Sequence, residues 1–163
     1  MKDVTVGKII SLNQIELSYI AGFLDGDGTV MSLVERHSEK RFRIRIRILI
    51  EFTQHNDNIR VLKYLRSKIG SGNINRSLRD VWKYSIKDQR SIKELIPLLC
   101  PYSVIKKRQM KIALQILSMS LIDKDSLLKA AVLSDKLSRC NLRSKSRKIN
   151  GAQLVREMIS RND

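Results

Sequence analysis

Apolar residues along this chain change their period several times, and each change marks an element. Leu12, Ile15, Tyr19 and Phe23 recur at steps of three and four, with Leu17, Ile20 and Leu24 on a second strip. That spacing predicts a first helix buried on more than one side. Thr29 to Glu35 alternates in part, which puts Met31, Leu33 and Glu35 on one face of a strand, and a polar turn from Arg36 to Lys40 follows. The next strand is the most legible: from Arg41 to Ile48 every odd position is arginine and every even one large and apolar. Side chains of a strand alternate faces, so Phe42, Ile44, Ile46, Ile48 and Ile50 are expected to face a core. Arg41, Arg43, Arg45, Arg47, Leu49 and Glu51 are expected to face outward.

Helical spacing resumes from about Asn58 to Ile69, with Ile59, Leu62, Leu65 and Ile69 buried and Gly70 closing the helix. Two short strands follow, Gly72 to Ser77 and Val81 to Lys87. Trp82, Tyr84 and Ile86 take the core face of the second, while Lys83 and Ser85 join Asn73, Asn75 and Ser77 in an outward polar set. Ser91 to Glu94 has capping-box spacing and predicts a helix that Pro97 bends or shortens, ending near Cys100 and Pro101. Helices are expected from Val104 to Leu117, Asp125 to Leu137 and Gly151 to Ile159, the last two flanking the basic run Arg139 to Lys148. The order α, β, β, α, β, β, then helices, is that of an α+β fold.

Charge narrows the partners. Of 163 residues, 32 are Lys or Arg and 16 Asp or Glu, a net charge of +16. The length suits one domain spanning 1–163, and the excess of positive charge exceeds what solubility asks. A densely anionic partner is implied, and the DNA backbone qualifies. No apolar run approaches the roughly 20 residues of a spanning helix, so no membrane partner is expected, and the N-terminus lacks a secretory h-region. Cys100 and Cys140 stand forty residues apart without zinc spacing and read as unpaired thiols of a reducing, intracellular compartment. His37, in the polar turn, reads as a surface residue. Four arginines on one sheet face would repel each other without an anion; the alternative, a solvated strand with pairing carboxylates such as Glu35, asks for no ligand.

The most informative stretch is Ile20-Ala21-Gly22-Phe23-Leu24-Asp25-Gly26-Asp27-Gly28. Gly22 and Gly26 lie one turn apart on one helix face beside Ser18, sacrificing about 0.5–1 kcal/mol of helix propensity at each glycine where a neighbour could approach closely. Asp25 and Asp27 sit at the helix C-terminus, where the carbonyl dipole repels carboxylates. A divalent metal would relieve that repulsion.

These nine residues resemble the signature of the LAGLIDADG homing endonucleases, and the similarity extends to Gln54, to Pro101 through Lys106 and to the run Ser144-Lys145-Ser146-Arg147-Lys148. The resemblance implies the αββαββα fold of that family, with a four-stranded antiparallel saddle that binds DNA and C-terminal helices. It implies that Asp27, with the Gly26 carbonyl, holds a catalytic metal, that Gln54 orders water near it and that Lys106 is the basic group of the site. Mg²⁺ is the expected metal, Mn²⁺ a substitute, and Ca²⁺ an ion that supports binding without cleavage; no small-molecule cofactor is expected. Because one chain carries one acidic motif, the resemblance implies a homodimer joined through Ser18, Gly22 and Gly26, on a long near-palindromic double-stranded site cut to leave 3′ overhangs. Met31, Leu33, Glu35, Arg41, Arg43, Arg45, Arg47, Glu51, Asn73, Asn75, Ser77, Lys83 and Ser85 would face the DNA. Ser144, Lys145, Arg147 and Lys148 would contact phosphates. Such genes sit in introns, so a chloroplast or mitochondrion is the expected setting if the host is an organelle intron.

One position departs from the pattern. Four residues after Gln54, where relatives often place a basic residue, stands Asn58, with Arg60 or His55 as possible substitutes. The alternative function is therefore a catalytically weakened DNA- or RNA-binding derivative, such as an intron-splicing maturase.

Overall fold

A computed structural model describes residues 12–141 and 150–161. Six helices and four strands follow in the order α1 (Gln14–Asp27), β1 (Gly28–Arg36), β2 (Ile44–His55), α2 (Ile59–Ile69), β3 (Asn73–Leu78), β4 (Val81–Ile86), α3 (Gln89–Leu99), α4 (Lys107–Ser118), α5 (Lys124–Cys140) and α6 (Gly151–Ser160). The strands form one sheet of order β1-β2-β4-β3. Its antiparallel register pairs Glu51 with Ser85 and Thr53 with Lys83 across β2 and β4, then Asn73 with Ser85 and Asn75 with Lys83 across β3 and β4. The fold is α+β, as the residue pattern predicts. No helix among the described residues is long and apolar enough to cross a membrane.

By contacts the chain falls into two compact units, Met1–Thr29 with Ile50–Lys107, and Val30–Leu49 with Arg108–Asp163. In the first, α1 starts with a capping box: the Asn13 side chain accepts from the Glu16 amide while the Glu16 carboxylate accepts from the Asn13 amide. Leu17, Ile20, Ala21 and Leu24 are its buried residues. A chain of aromatic rings, Tyr19, Phe23, Phe52 and Tyr84, runs from α1 to β4 with centroids 5.7–6.2 Å apart. Rings at that spacing contribute about 0.5–1.5 kcal/mol per pair beyond their burial, so the end of α1 is anchored to the sheet. Burial pushes the Tyr84 hydroxyl well above the ordinary tyrosine value, and it donates to the Ser71 carbonyl. In the second unit Ile44 packs with Leu127, Ala131, Ala152, Val155 and Met158. The Asp135 carboxylate there accepts from the Gly151 and Ala152 amides at 2.9 and 3.0 Å, capping the first turn of α6 from α5.

Several expectations are corrected. Ile15 and Tyr19 are 81% and 46% exposed, so only the Phe23 end of the strip expected to bury a second side of α1 packs inward, against Phe52. β2 begins at Ile44, which leaves Arg41 and Arg43 in the preceding turn instead of on the strand face. The Arg41 guanidinium lies over the Phe42 ring and donates to the Ile122 carbonyl at 3.2 Å. Leu49 is buried although alternation puts it outward. The capping box expected at Ser91 is absent: Asp88 caps α3, accepting from both the amide and hydroxyl of Ser91. Glu94 instead pairs with Arg90 at 3.1 Å. α4 opens at Lys107, three residues later than expected, so Lys106 lies just before it.

Candidate functional site

The C-terminal end of α1 gathers the acidic residues. No basic residue lies in its last turn, and the Gly28 amide donates back to the Leu24 carbonyl as the chain passes into β1. That passage requires glycine, because a Cβ at Gly28 would lie 2.5 Å from Leu24 Cδ1 and 2.7 Å from the Leu24 backbone.

Asp25 and Asp27, two residues apart, have different surroundings. Asp25 accepts from Ser103 Oγ at 2.6 Å and from the amides of Val104, Ile105 and Lys106 at 2.6, 3.1 and 2.9 Å. Burial pushes its carboxyl up, but the Ser103 hydroxyl and the three amides together hold it below the ordinary aspartate value. The repulsion expected at this helix end is relieved at Asp25 by four donors from 103–106 and needs no cation there. Ser103, 2% exposed, also accepts from the Lys106 amide, so Lys106 enters α4 held through its backbone. Nothing in the sequence marks Ser103 within the run 101–106, since a serine before a helix reads as an ordinary cap.

Asp27 is exposed, and its Oδ2 accepts from Gln54 Nε2 at 2.6 Å. Among the described residues no donor reaches Oδ1. Gln54 lies near the end of β2, whose position is fixed by pairing with Trp82 on β4. Asp27, Gln54 and the Lys106 backbone anchor thus belong to one unit, and α1 presents two of their partners within a single turn.

An open hard oxygen at Asp27 Oδ1, beside the Gly26 carbonyl in a helix turn whose carbonyls have no intrahelical donors, suits Mg²⁺ or Ca²⁺. Among the described residues no three His, Cys, Asp or Glu side chains converge as a closed cage. Mg²⁺ commonly takes one or two carboxylates and completes its shell with water and phosphate oxygens, so the donor set fits an open site.

A cleft of about 450 Å³ adjoins this centre, lined among others by Gln54, Asn58, Arg60, Tyr19 and Phe23. Arg60 brings to it the charge that Asn58 lacks. His55 turns aside: its Nδ1 lies 3.1 Å from an Asp57 carboxylate oxygen.

Outward on the sheet, two cations are already paired. In the first unit Lys83 Nζ lies 2.8 Å from Glu51 Oε1, and Ser85 Oγ donates to Glu51 Oε2 at 3.0 Å. Ser85 is 9% exposed, a support for Glu51 more than the open contact expected of it, whereas Asn73, Asn75 and Ser77 are exposed. In the second unit Arg47 donates to Glu35 at 3.0 Å, realising for this pair the carboxylate-paired alternative, while Arg45, Met31 and Leu33 are half-buried. Ser18, Gly22 and Gly26 are exposed, and open space lies where a Cβ would point from either glycine. Ser144, Lys145, Arg147 and Lys148 lie outside the described residues.

Comparison with known proteins bears on this arrangement. The family model described as LAGLIDADG endonuclease matches residues 20–116. The chain is 24% identical over 127 residues to DNA endonuclease I-CvuI of Chlorella vulgaris, covering 77% of this chain and 79% of that protein. It is 26% identical over 105 residues to DNA endonuclease I-CreI of Chlamydomonas reinhardtii, covering 64% of each. The crystal structure of I-CvuI in complex with the I-CreI target, with Mg and DNA not cleaved, superposes with a TM-score of 0.83 over 91% of this chain and 94% of that one, at 23% identity. An archaeal intron-encoded homing endonuclease, I-Vdi141I, complexed with DNA, superposes with a TM-score of 0.76 over 90% of this chain and 98% of that one, at 17% identity. With a family model covering more than half of its length, and carrying the acidic motif of α1, the chain belongs to the LAGLIDADG endonuclease family.

Proposed function

We propose that this chain, as a single domain, is a site-specific homing endonuclease that binds long, near-palindromic double-stranded DNA as a homodimer and hydrolyses both strands with a divalent metal, leaving 3′ overhangs. The observation that carries the reading is the Gln54 amide on Asp27 Oδ2, which leaves the other carboxylate oxygen open at the end of the helix that also anchors Lys106. Asp27 and the Gly26 carbonyl would hold Mg²⁺, or Mn²⁺ in its place, with Ca²⁺ supporting binding alone. When bound, the ion polarises the phosphoryl oxygens and lowers the pKa of attacking water. Gln54 fixes the rotamer of Asp27 and orders water beside it. Lys106, whose ammonium no described carboxylate neutralises, stabilises negative charge developing on the phosphate.

Dimerisation follows from one motif per chain and from the exposed face of α1. Besides Ser18, Gly22 and Gly26, Ile15 is 81% exposed and Ile105 64% exposed, apolar surface that a second copy would cover. Arg45, Arg47 and Glu35 on one unit, and Glu51, Lys83, Asn73, Asn75 and Ser77 on the other, would read base edges; Lys145, Arg147 and Lys148 would contact phosphates. An organelle is the expected compartment if the gene lies in an organelle intron.

Cleavage selection over randomised near-palindromic duplexes tests the reading. Wild-type protein should cut a recovered site in Mg²⁺, and Asp27→Asn should bind that site in Ca²⁺ yet leave it intact. Tight binding by wild type without cleavage in Mg²⁺ or Mn²⁺ would instead favour the maturase-like derivative that Asn58 suggests.

A further inference from the structure

Within the second unit, a hollow of about 410 Å³ is lined by Arg36, His37, Ser38, Arg43, Met158 and Arg161. Three arginines line it, and among the described residues no carboxylate is in its walls. Carboxylates accompany Arg47, Lys68, Lys83 and Arg90, yet among the described residues none pairs with Arg36, Arg43 or Arg161. Bringing three like charges to one concave surface is unfavourable without an anion between them. A cation at the end of α6 complements the helix dipole, which accounts for Arg161 alone but not for the convergence.

The backbone is committed to this arrangement. The turn between β1 and β2 is closed by bonds from the His37 amide to the Arg43 carbonyl at 2.8 Å, from the Lys40 amide to the His37 carbonyl at 3.1 Å and from the Arg43 amide to the Lys40 carbonyl at 2.7 Å. Arg43 has φ 53°, and it alone of the non-glycine residues described has positive φ. An arginine gains nothing intrinsic from the left-handed region, so a constraint from its surroundings holds it there. Arg43 lines the hollow from this turn. A second sign is His37, whose Nδ1 is buried without a hydrogen-bond partner. Buried polar atoms without a partner are rare, and this one belongs to a residue that lines the hollow. Arg161, the C-cap of α6, follows Met158 by three residues, and both line the hollow.

We propose that this hollow is a phosphate-binding site. Guanidinium forks match the geometry of phosphate oxygens and form paired, charge-assisted hydrogen bonds with them. Arg36, Arg43 and Arg161 supply the forks, while the Ser38 hydroxyl adds a neutral donor. The site is separate from base reading by the strand faces, because Arg43 works with Arg36 and Arg161 instead of with Arg45 and Arg47. The phosphate can be free in solution or part of a DNA backbone; only the second source rests on the endonuclease reading.

The test has two arms and uses the full-length protein. In the first, inorganic phosphate is titrated into DNA-free protein at constant ionic strength while amide NMR shifts of His37, Arg43 and Arg161 are followed. Saturable shifts are expected in wild type and in Arg156→Ala, which removes an equal charge from the same helix outside the hollow, and should be lost in Arg161→Ala. In the second, target duplexes carry one neutral methylphosphonate per half-site, moved position by position. At one position the substitution should weaken wild-type binding about tenfold yet change Arg161→Ala little, and that variant should flatten the salt dependence by about one counterion per half-site. Arg161→Lys keeps the charge and should retain part of the effect. Phosphate shifts without a coupled methylphosphonate position support the site with a free phosphate as its occupant. If phosphate moves none of these amides and Arg161→Ala matches Arg156→Ala on every duplex, the site does not exist. Absence of any DNA binding by wild type would overturn the endonuclease reading and leave the first arm to decide.

Discussion

The Asp25 carboxylate receives the Lys106 amide at 2.9 Å, tying the last turn of α1 to the residue that opens the way into α4. Asp25 therefore positions Lys106 without touching any reacting group. Asp25→Asn keeps the size but loses the charge on an acceptor of four hydrogen bonds, and bonds to charged groups contribute about 1.5–3 kcal/mol each at most. Since Asp25 is only half-buried, the expected loss is about 1–3 kcal/mol of stability, with a slower cleavage step and little change in specific binding. Urea unfolding and single-turnover kinetics in Mg²⁺ would check both. A variant of wild-type stability that cuts normally would show that 103–106 holds its place without Asp25.

Acid should erase that difference. Asp25 is held below its ordinary value, so its contribution is fully present above the unfolded aspartate range and lost as pH falls through the depressed folded value. The urea midpoints of wild type and Asp25→Asn, well separated at about pH 7, should converge toward about pH 3. Asp88 and Asp123, lowered by Ser91 and Ser126 at the starts of α3 and α5, add the same sign of acid sensitivity in both proteins. Midpoints that diverge on acidification would reverse the assignment.

Gly28→Ala should be more damaging than its one methyl suggests. The backbone at Gly28 is extended, with φ −106°, so conformation is no obstacle. Contact is: the new Cβ would meet the Leu24 side chain at 2.5 Å and its backbone at 2.7 Å, in a buried junction. Overpacking of this kind costs roughly 1–3 kcal/mol. Displacement of the helix end should also weaken the Asp27–Gln54 bond. Thermal unfolding within a degree of wild type would mean that the junction relaxes freely.

The elements themselves were legible because the periods of the chain are clean: the alternation through Ile44, Ile46, Ile48 and Ile50 and the turns of α2 survive almost residue for residue. Alternation failed where tertiary packing overrides it. Leu49 is buried on the face that should be outward, and Arg41 and Arg43 obey the strand period while belonging to a turn. The acidic end of α1 was legible as a charge conflict, but two carboxylates two residues apart look alike in a sequence. Only the fold brings 103–106 to Asp25 and leaves Asp27 to Gln54. The hollow beneath Arg43 carried no local signal, because Arg36, Arg43 and Arg161 meet across more than a hundred residues.

Gly22→Leu tests the exposed face of α1. Since open space lies beyond Gly22 in the single chain, leucine there should fold and should leave the monomer's stability nearly unchanged. If a second copy packs on that face, the added side chain would hold the helices apart. Sedimentation should then show a monomer where wild type is a dimer, with cleavage lost. An unperturbed dimer would place the interface away from the face of α1 that carries Gly22.

The pair formed by Lys83 and Glu51 makes the sharpest claim about specificity. Glu51 binds Lys83 at 2.8 Å through one oxygen and the Ser85 hydroxyl at 3.0 Å through the other, so donor and acceptor are held side by side on neighbouring strands. Lysine donates to guanine and glutamate accepts from cytosine, which matches the two edges that G·C pairs present in the major groove. Being half exposed, the pair contributes at most about 1 kcal/mol to folding, so its removal should be tolerated. Glu51→Gln would remove a negative charge from the proposed DNA-facing surface and release Lys83. Affinity for all duplexes should rise, while discrimination at one or two positions per half-site should fall by about 1–3 kcal/mol. Lys148→Ala, by contrast, should weaken all sites alike and reduce the salt dependence. A substituted-site binding library distinguishes them. If Glu51→Gln shows the uniform profile instead, Glu51 only buttresses the sheet and the reading of bases lies with Arg45, Asn73 and Asn75.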